Sequence, residues 1–381
     1  MSNQYKEAIE ASLNKIKKNI DRFGAQFPHT SDQEVYELND NDNWTSGFWV
    51  GMLWQAYQYD KDEQFLSAAR EKTSQMQERL SNNANLDTHD IGFLYTPSTG
   101  AKWQIEKDET AKEMTMKAAD RLMERYRETI GVFQAWGPPN DPEQGGRIII
   151  DCMMNMPLLF WANEVTGEIK YKVAATNFVD MARRYLVRGD DSTYHTFYFD
   201  QKSGQPIRGA TQQGYSDGST WTRGQAWAVY GFALAYRYTK DENYLETALR
   251  TANYFINHLP EKVIVDWDFD APQDKDIKPD SSASAILVCG LHELLQLIEQ
   301  ESEEYKKIKT VLEQTMDHLI NEYTTDFESQ GLLDHGSYSV REGKSPDDYV
   351  IWGDYFYLEA LLRLEKGFHG FWYEQPHRNI T

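Results

Sequence analysis

The chain has 381 residues and a formal net charge of −21, which repels nucleic acid phosphate and anionic lipid at long range and excludes a polyanion-binding surface. Hydrophobic residues make up 40% of it, and 23 Tyr, 17 Phe and 11 Trp supply a large core with rings left over to line a cleft. Cys152 and Cys289, each inside an apolar stretch, are too few and too far apart for a disulfide framework or a zinc pattern.

In chain order, Tyr5 to Ile20 reads as a polar, amphipathic helix with no apolar leader run, and no apolar stretch approaches the ~18 residues of a membrane span. The expectation is a soluble, cytoplasmic protein. Next, Trp49, Met52, Leu53, Ala56 and Tyr57 recur at helical spacing, followed by a polar turn and then Phe65, Ala68, Ala69 and Met76, which predicts two antiparallel helices. The same grammar returns from Trp227 to Ala235 and from Leu245 to Ile256. Thr45, Asp90, Asp151, Thr222, Ser281 and Asp354 each open an apolar helix, and the N-terminal helix completes the last pair. With no linker to divide them, six hairpins of irregular spacing predict one all-α domain over residues 1–381, an (α/α)6 toroid rather than an open solenoid. The segments 137–147, 188–221, 263–280 and 332–352 are the long loops at the end where inner helices begin. Within them, Thr193 to Phe199 and Gly204 to Arg208 predict a small β-hairpin over the cleft mouth.

Asp90 and Asp151 fall at helix starts facing that mouth. Capping is the ordinary occupation of aspartate there. For Asp151, flanked by Ile148, Ile149, Ile150, Cys152, Met153 and Met154, poor hydration favours the protonated form that a general acid needs, while a helix N-terminus favours the anion, and the sequence leaves the balance open. Trp44, Trp136, Trp221 and Trp227 lie in or beside the mouth loops, where sugar stacking and plain packing both fit. His89 and His195 are candidate hydrogen-bond donors, and Arg147, Arg208 and Arg223 candidate carboxylate partners or salt-bridge formers. A phosphate-cradling glycine loop, a nucleophile elbow and a His-Glu-x-x-His pair are all missing from the sequence, so no cofactor is expected. Asp266, Asp268 and Asp270 alternate with Trp267 and Phe269 without a ligand-rich continuation, so no metal is expected there either.

Longer motifs carry a resemblance: Asn43-Trp-Thr-Ser-Gly-Phe-Trp, His89-Asp-Ile-Gly-Phe-Leu-Tyr, Gln134-Ala-Trp-Gly-Pro, Gly146-Arg-Ile-Ile-Ile-Asp, Tyr194-His-Thr-Phe-Tyr-Phe-Asp and Gly218-Ser-Thr-Trp-Thr-Arg-Gly-Gln-Ala-Trp. Over nearly its full length the chain resembles the unsaturated glucuronyl hydrolases of glycoside hydrolase family 88. That resemblance implies a cofactor-free cytoplasmic enzyme that removes the 4,5-unsaturated uronic acid left at the non-reducing end of oligosaccharides by polysaccharide lyases. It implies Asp151 as general acid and base, with Asp90 as its charge-stabilising partner. Trp44, Trp136 and Trp227 would wall the sugar, and His89, His195, Gln213 and Arg223 would hydrogen-bond to it. The implied chemistry protonates C4 of a vinyl ether, adds water at C5 and lets the hemiketal open, so one carboxyl gives a proton and then activates water.

The family that the chain resembles often carries His before the Gln-Gly pair, where this chain has Gln212 before Gln213-Gly214, so a contact at the next sugar is expected to differ. Fragments of glycosaminoglycans, gellan and xanthan all remain open as substrates, with Lys344 and Arg341 as candidate sulfate contacts. The rivals are an unsaturated rhamnogalacturonyl hydrolase, a lyase or epimerase on the same fold, and a non-catalytic protein binding acidic oligosaccharides. Nothing in the sequence sets the oligomeric state.

Overall fold

The computed structural model describes residues 3–32, 34–139 and 141–374. The chain is mostly helical with small antiparallel sheets. Helix α1 (Asn3–Phe23) buries Ile9, Leu13, Ile16 and Phe23 along one stripe. After the hairpin β1 (Phe27–Asp32) and β2 (Val35–Asn39) comes α2 (Ser46–Asp60), which is buried all round from Ser46 to Ala56. A helix apolar on every face must be enclosed by others, and its partner α3 (Glu63–Ser81) is instead amphipathic. Lys61 in the left-handed conformation and Asp62, whose carboxylate accepts from Gln64 N, form the tight turn between them.

The pairing of a buried helix with an amphipathic one recurs. α4 (Ile91–Tyr95) runs through a π-helical segment (Thr96–Gly100) into α5 (Ala101–Glu106), and α6 (Glu109–Met123) returns. Behind a 3-10 turn (Ile150–Asn155), α7 (Met156–Thr166) pairs with α8 (Ile169–Tyr185). Then α9 (Thr222–Thr239) pairs with α10 (Glu242–Asn257), α11 (Ser281–Leu295) with α12 (Glu303–Glu322), and α13 (Ile351–Lys366) with α1. The buried members touch in succession: α2 with α4, α4 with α7, α7 with α9, α9 with α11, α11 with α13, and α13 with α2. Gly47 permits the closest of these approaches, because a Cβ there would stand 2.1 Å from the Phe93 carbonyl oxygen. No helix among the described residues is long and apolar enough to cross a membrane.

Three expected helix starts are corrected. The helix after Asp90 is not continuous, since its register slips through the π segment around Pro97. Asp151 does not open an α-helix: Arg147–Ile149 form a strand, Ile150–Asn155 a 3-10 turn, and regular helix begins only at Met156 beside Pro157, whose missing N–H cannot continue a ladder backward. Asp354 lies inside α13, buried, where it accepts from Tyr36 Oη at 2.7 Å and from Leu333 N at 3.0 Å.

The predicted hairpin is present as β6 (Thr196–Phe199) and β7 (Pro206–Ala210), but it is wider than expected. The strand Arg147–Ile149, β5 (after the short pair β3, Tyr126–Arg127, and β4, Val132–Phe133), joins it to give the order β5-β6-β7. Consecutive isoleucines that read as a helix approach are β-branched and pair as a strand. Asp151 therefore hangs from the end of a sheet.

Candidate active site

Trp44, His89, Asp90, Trp136, Arg147 and Asp151 line one cavity of about 450 Å³, together with Gln144, Gln212, Gln213, Tyr338, Glu342 and Lys344. The loops before α2, α4 and the 3-10 turn supply one wall, and the 336–348 loop the other.

Asp151 is held by β5 on one side and by buried Cys152, Met153 and Met154 on the other. Its Oδ1 has no hydrogen-bond partner, so capping does not occupy it. Burial, reinforced by the charge of Asp90 and opposed by Arg223, pushes its pKa up to about 7. Desolvation thus decides the balance that the sequence left open, since regular helix begins only at Met156 and Asp151 does not sit at an α-helix start. Asp90 occupies the N-cap position of α4 yet makes no capping bond. Its Oδ2 accepts from Thr88 Oγ1 at 2.6 Å, and its Oδ1 stands 3.4 Å from His89 Nε2. Burial lowers the His89 pKa although Asp90 opposes this, which favours the neutral imidazole beside the Asp90 carboxylate.

The rings and cations are placed unevenly. Trp136 is partly exposed and pairs by an isolated bridge with Thr88, and its face is covered by the Arg147 guanidinium, with Cζ 4.3 Å from the ring centroid. Arg147 Nε donates to Thr196 Oγ1 at 3.1 Å, and none of the described acidic side chains pairs with it. Trp44 leans on Trp352 with centroids 5.3 Å apart. Gln213 Nε2 donates to the Tyr338 carbonyl at 2.9 Å.

Four of the expected residues stand behind this lining. His195 Nδ1 accepts from the backbone N–H groups of Gln212 (2.9 Å) and Gln213 (3.2 Å), which places the proton on Nε2 and makes His195 a support for the loop before α9. Burial and the nearby Arg147 and Arg223 hold its pKa well below the usual value. Trp221 packs on that imidazole at 4.5 Å. Arg223 ion-pairs with buried Asp280 at 2.7 Å and donates to the Tyr338 carbonyl at 2.9 Å, tying α9 to the 336–348 loop. Trp227 is 1% exposed, packed between Phe93 and Phe356. Conversely, Gln144, Tyr338 and Glu342 reach the cavity from loops with no periodicity, and no sequence signal singles them out. Asp268 and Asp270 accept from Ser219 Oγ, Tyr215 N and Thr220 N, so the alternating aspartates staple loops.

A carboxyl that keeps its proton near neutrality, beside a second carboxyl and between indole walls, is the equipment of a glycoside hydrolase. The model of Glycosyl Hydrolase Family 88 matches residues 19–365. The unsaturated glucuronyl hydrolase of Bacillus sp. (strain GL1) is 51% identical over 374 residues, covering 97% of this chain and 99% of that protein. The unsaturated chondroitin disaccharide hydrolase of Streptococcus agalactiae is 42% identical, covering 97% and 93%. A crystal structure of the Bacillus enzyme superposes with a TM-score of 0.96 at 50% identity, over 98% of this chain and 100% of that one. The chain belongs to glycosyl hydrolase family 88, and its activity is that of an unsaturated glucuronyl hydrolase.

Proposed function

We propose that Asp151 protonates C4 of a terminal 4,5-unsaturated glucuronyl residue and then, as carboxylate, activates the water that adds at C5. The hemiketal so formed opens and expels the remaining sugar, which leaves the oligosaccharide one residue shorter. Proton and water are both accounted for: the acid gives one proton to C4 and recovers one from the attacking water. Asp90 stabilises the oxocarbenium-like charge that develops at C5, and neutral His89 holds Asp90 in place. Trp44 and Trp136 flank the ring, and Arg147 is the cation available to the uronate. The observation that carries this reading is the Asp151 carboxyl itself, which lines the cavity beside Asp90 and has a buried Oδ1 with no hydrogen-bond partner, an environment that favours its protonated form.

The substrate class is a lyase-generated, unsaturated glycosaminoglycan fragment. The Bacillus relative is one responsible for the degradation of glycosaminoglycan, and a Streptococcus agalactiae enzyme has been crystallised with dGlcA-GalNAc6S. A second structure close to this chain, at 50% identity, holds dGlcA-Glc-Rha-Glc, so a neutral leaving sugar belongs to the same reading. The scaffold is the (α/α)6 toroid, one catalytic domain over 1–381, and the packing of α13 on both α2 and α1 supports closure. A cytoplasmic location is part of the reading and rests on the family resemblance.

The test follows ultraviolet absorbance of the conjugated double bond with unsaturated chondroitin, hyaluronan, heparin, gellan and rhamnogalacturonan disaccharides. Decay with glucuronyl substrates is expected. Decay with rhamnogalacturonan alone would shift the assignment to the galacturonyl-rhamnose enzymes, and binding without decay would leave a non-catalytic protein.

A further inference from the structure

Aspartate at an N-cap normally turns its carboxylate onto the N–H of the second or third helical residue. Asp90 does not, and α4 would begin with those donors buried and unmatched. The bond is made from elsewhere in the chain. Asn155, fully buried at the end of the 3-10 turn that carries Asp151, accepts from Phe93 N through Oδ1 at 2.8 Å. Its Nδ2 donates to the Asp151 carbonyl at 3.4 Å. Backbone meets backbone at this point, because a Cβ on Gly92 would lie 2.6 Å from Asn155 Cα.

We propose that Asn155 is a positioning residue that caps α4 in place of Asp90, leaving the Asp90 carboxylate free to face the cavity and fixing the two aspartate-bearing segments against each other. The inference rests on the reading of Asp90 and Asp151 as the working pair. Its logic is substitution of one acceptor for another. A carboxylate engaged with the Phe93 N–H would be turned into the helix and its charge partly spent there. With the amide of Asn155 already on that donor, Asp90 is left to Thr88 and His89 at the cavity wall. Gly92 is required for the same reason, since any side chain would push the segments apart.

The test compares Asn155→Ala and Asn155→Asp in the full chain, with circular dichroism and melting to establish folding. In N155A the Phe93 N–H is left without a partner, and Asp90, at the N-cap position of α4, is the side chain placed to rotate onto it. We expect kcat to fall roughly 10- to 100-fold with KM nearly constant. The alkaline limb of the pH profile should also move down by about half a pH unit, because a capping Asp90 no longer raises Asp151. N155D keeps the acceptor and adds negative charge beside Asp151, so its alkaline limb should stay or move up. In an Asp90→Asn background, N155A should move the limb no further.

A 13C NMR titration of aspartate carboxyls reads the same Asp151 shift without turnover, so it reports on Asn155 even if no unsaturated disaccharide is cleaved. An N155A limb that does not move, or N155D and N155A moving together, would overturn the proposal. If N155A does not fold, the direction of the N155D shift decides alone.

Discussion

The charge of Asp90 holds up the pKa of Asp151, a carboxyl whose Oδ1 accepts no hydrogen bond. Burial is the larger cause and Asp90 the second, so the two contributions separate on mutation. Activity that depends on protonated Asp151 should decline as pH rises through about 7. Asp90→Asn should move that decline to lower pH without returning it to the ordinary carboxylate range, because burial remains. Asp151→Asn should cost on the order of 1,000-fold in kcat while the protein still folds. A kcat/KM profile for each variant on one unsaturated disaccharide checks both, and an unmoved alkaline limb in Asp90→Asn would separate the two carboxylates.

The same carboxyl predicts a stability effect of definite sign. Its folded pKa of about 7 lies above the ordinary value of 3.8, so between these pH values the native state holds a proton that the unfolded chain has released. The stability this confers is complete below the unfolded value and is lost as pH rises through about 7. Asp151→Asn should therefore melt above the parent at mildly alkaline pH, with the gap closing toward acid. Asp354 is raised as well, to about 6, yet it should behave oppositely. Its carboxylate accepts from both Tyr36 Oη and Leu333 N, and an amide at that place offers one oxygen for two donors. Asp354→Asn should lose about 1 to 3 kcal/mol, read from urea unfolding at neutral pH.

Much of this scaffold is legible because helix periodicity is local. Trp49, Met52, Leu53 and Ala56 announce α2, and each later pair repeats the pattern. Less legible is anything set by a neighbour distant in sequence. Ile148 to Ile150 read as the approach to a helix, and only pairing with Thr196 to Tyr198 turns the segment before Asp151 into a strand. Asp90 reads as a cap because no single-sequence rule reports that Asn155 takes the donor first. Trp227 and Arg223 carry the right chemistry for a sugar wall, but helix phase alone does not tell the cavity face of α9 from the face packed on Phe93 and Phe356. Glu342 and Tyr338 come from an aperiodic loop, whose position depends on the backbone pairing of Gly336 with Asp348.

Arg147 illustrates how an acidic chain receives an acidic sugar. Its guanidinium lies on Trp136, buried and without a carboxylate partner among the described residues, so its charge is available to the cavity. Desolvation lowers its pKa but leaves it charged across the working range. Arg147→Met keeps the length of the side chain over the indole and removes the charge. KM for an unsaturated uronyl disaccharide should rise about tenfold or more, with a smaller change in kcat, since a uronate carboxylate is charged in ground state and transition state alike. Raising ionic strength should increase the parent KM and leave the variant nearly flat.

Gln212, just before the Gln213-Gly214 pair, has a specific occupation here. It donates to Glu342 Oε1 at 2.6 Å, and Glu342 in turn holds Lys344 at 2.9 Å, so the 336–348 loop presents a neutralised pair to the cavity rather than a free cation. The Lys344 ammonium is well exposed, and screening limits its reach to groups that come close. Releasing it should therefore favour a sulfated leaving sugar over its unsulfated counterpart. Glu342→Gln removes the competing carboxylate while keeping an acceptor for Gln212, and its kcat/KM ratio for 6-sulfated against unsulfated disaccharide should rise several-fold at low salt and collapse at high salt. Glu342→Gln combined with Lys344→Met should abolish that gain. If the double variant keeps it, the preference resides in other residues of the cavity wall.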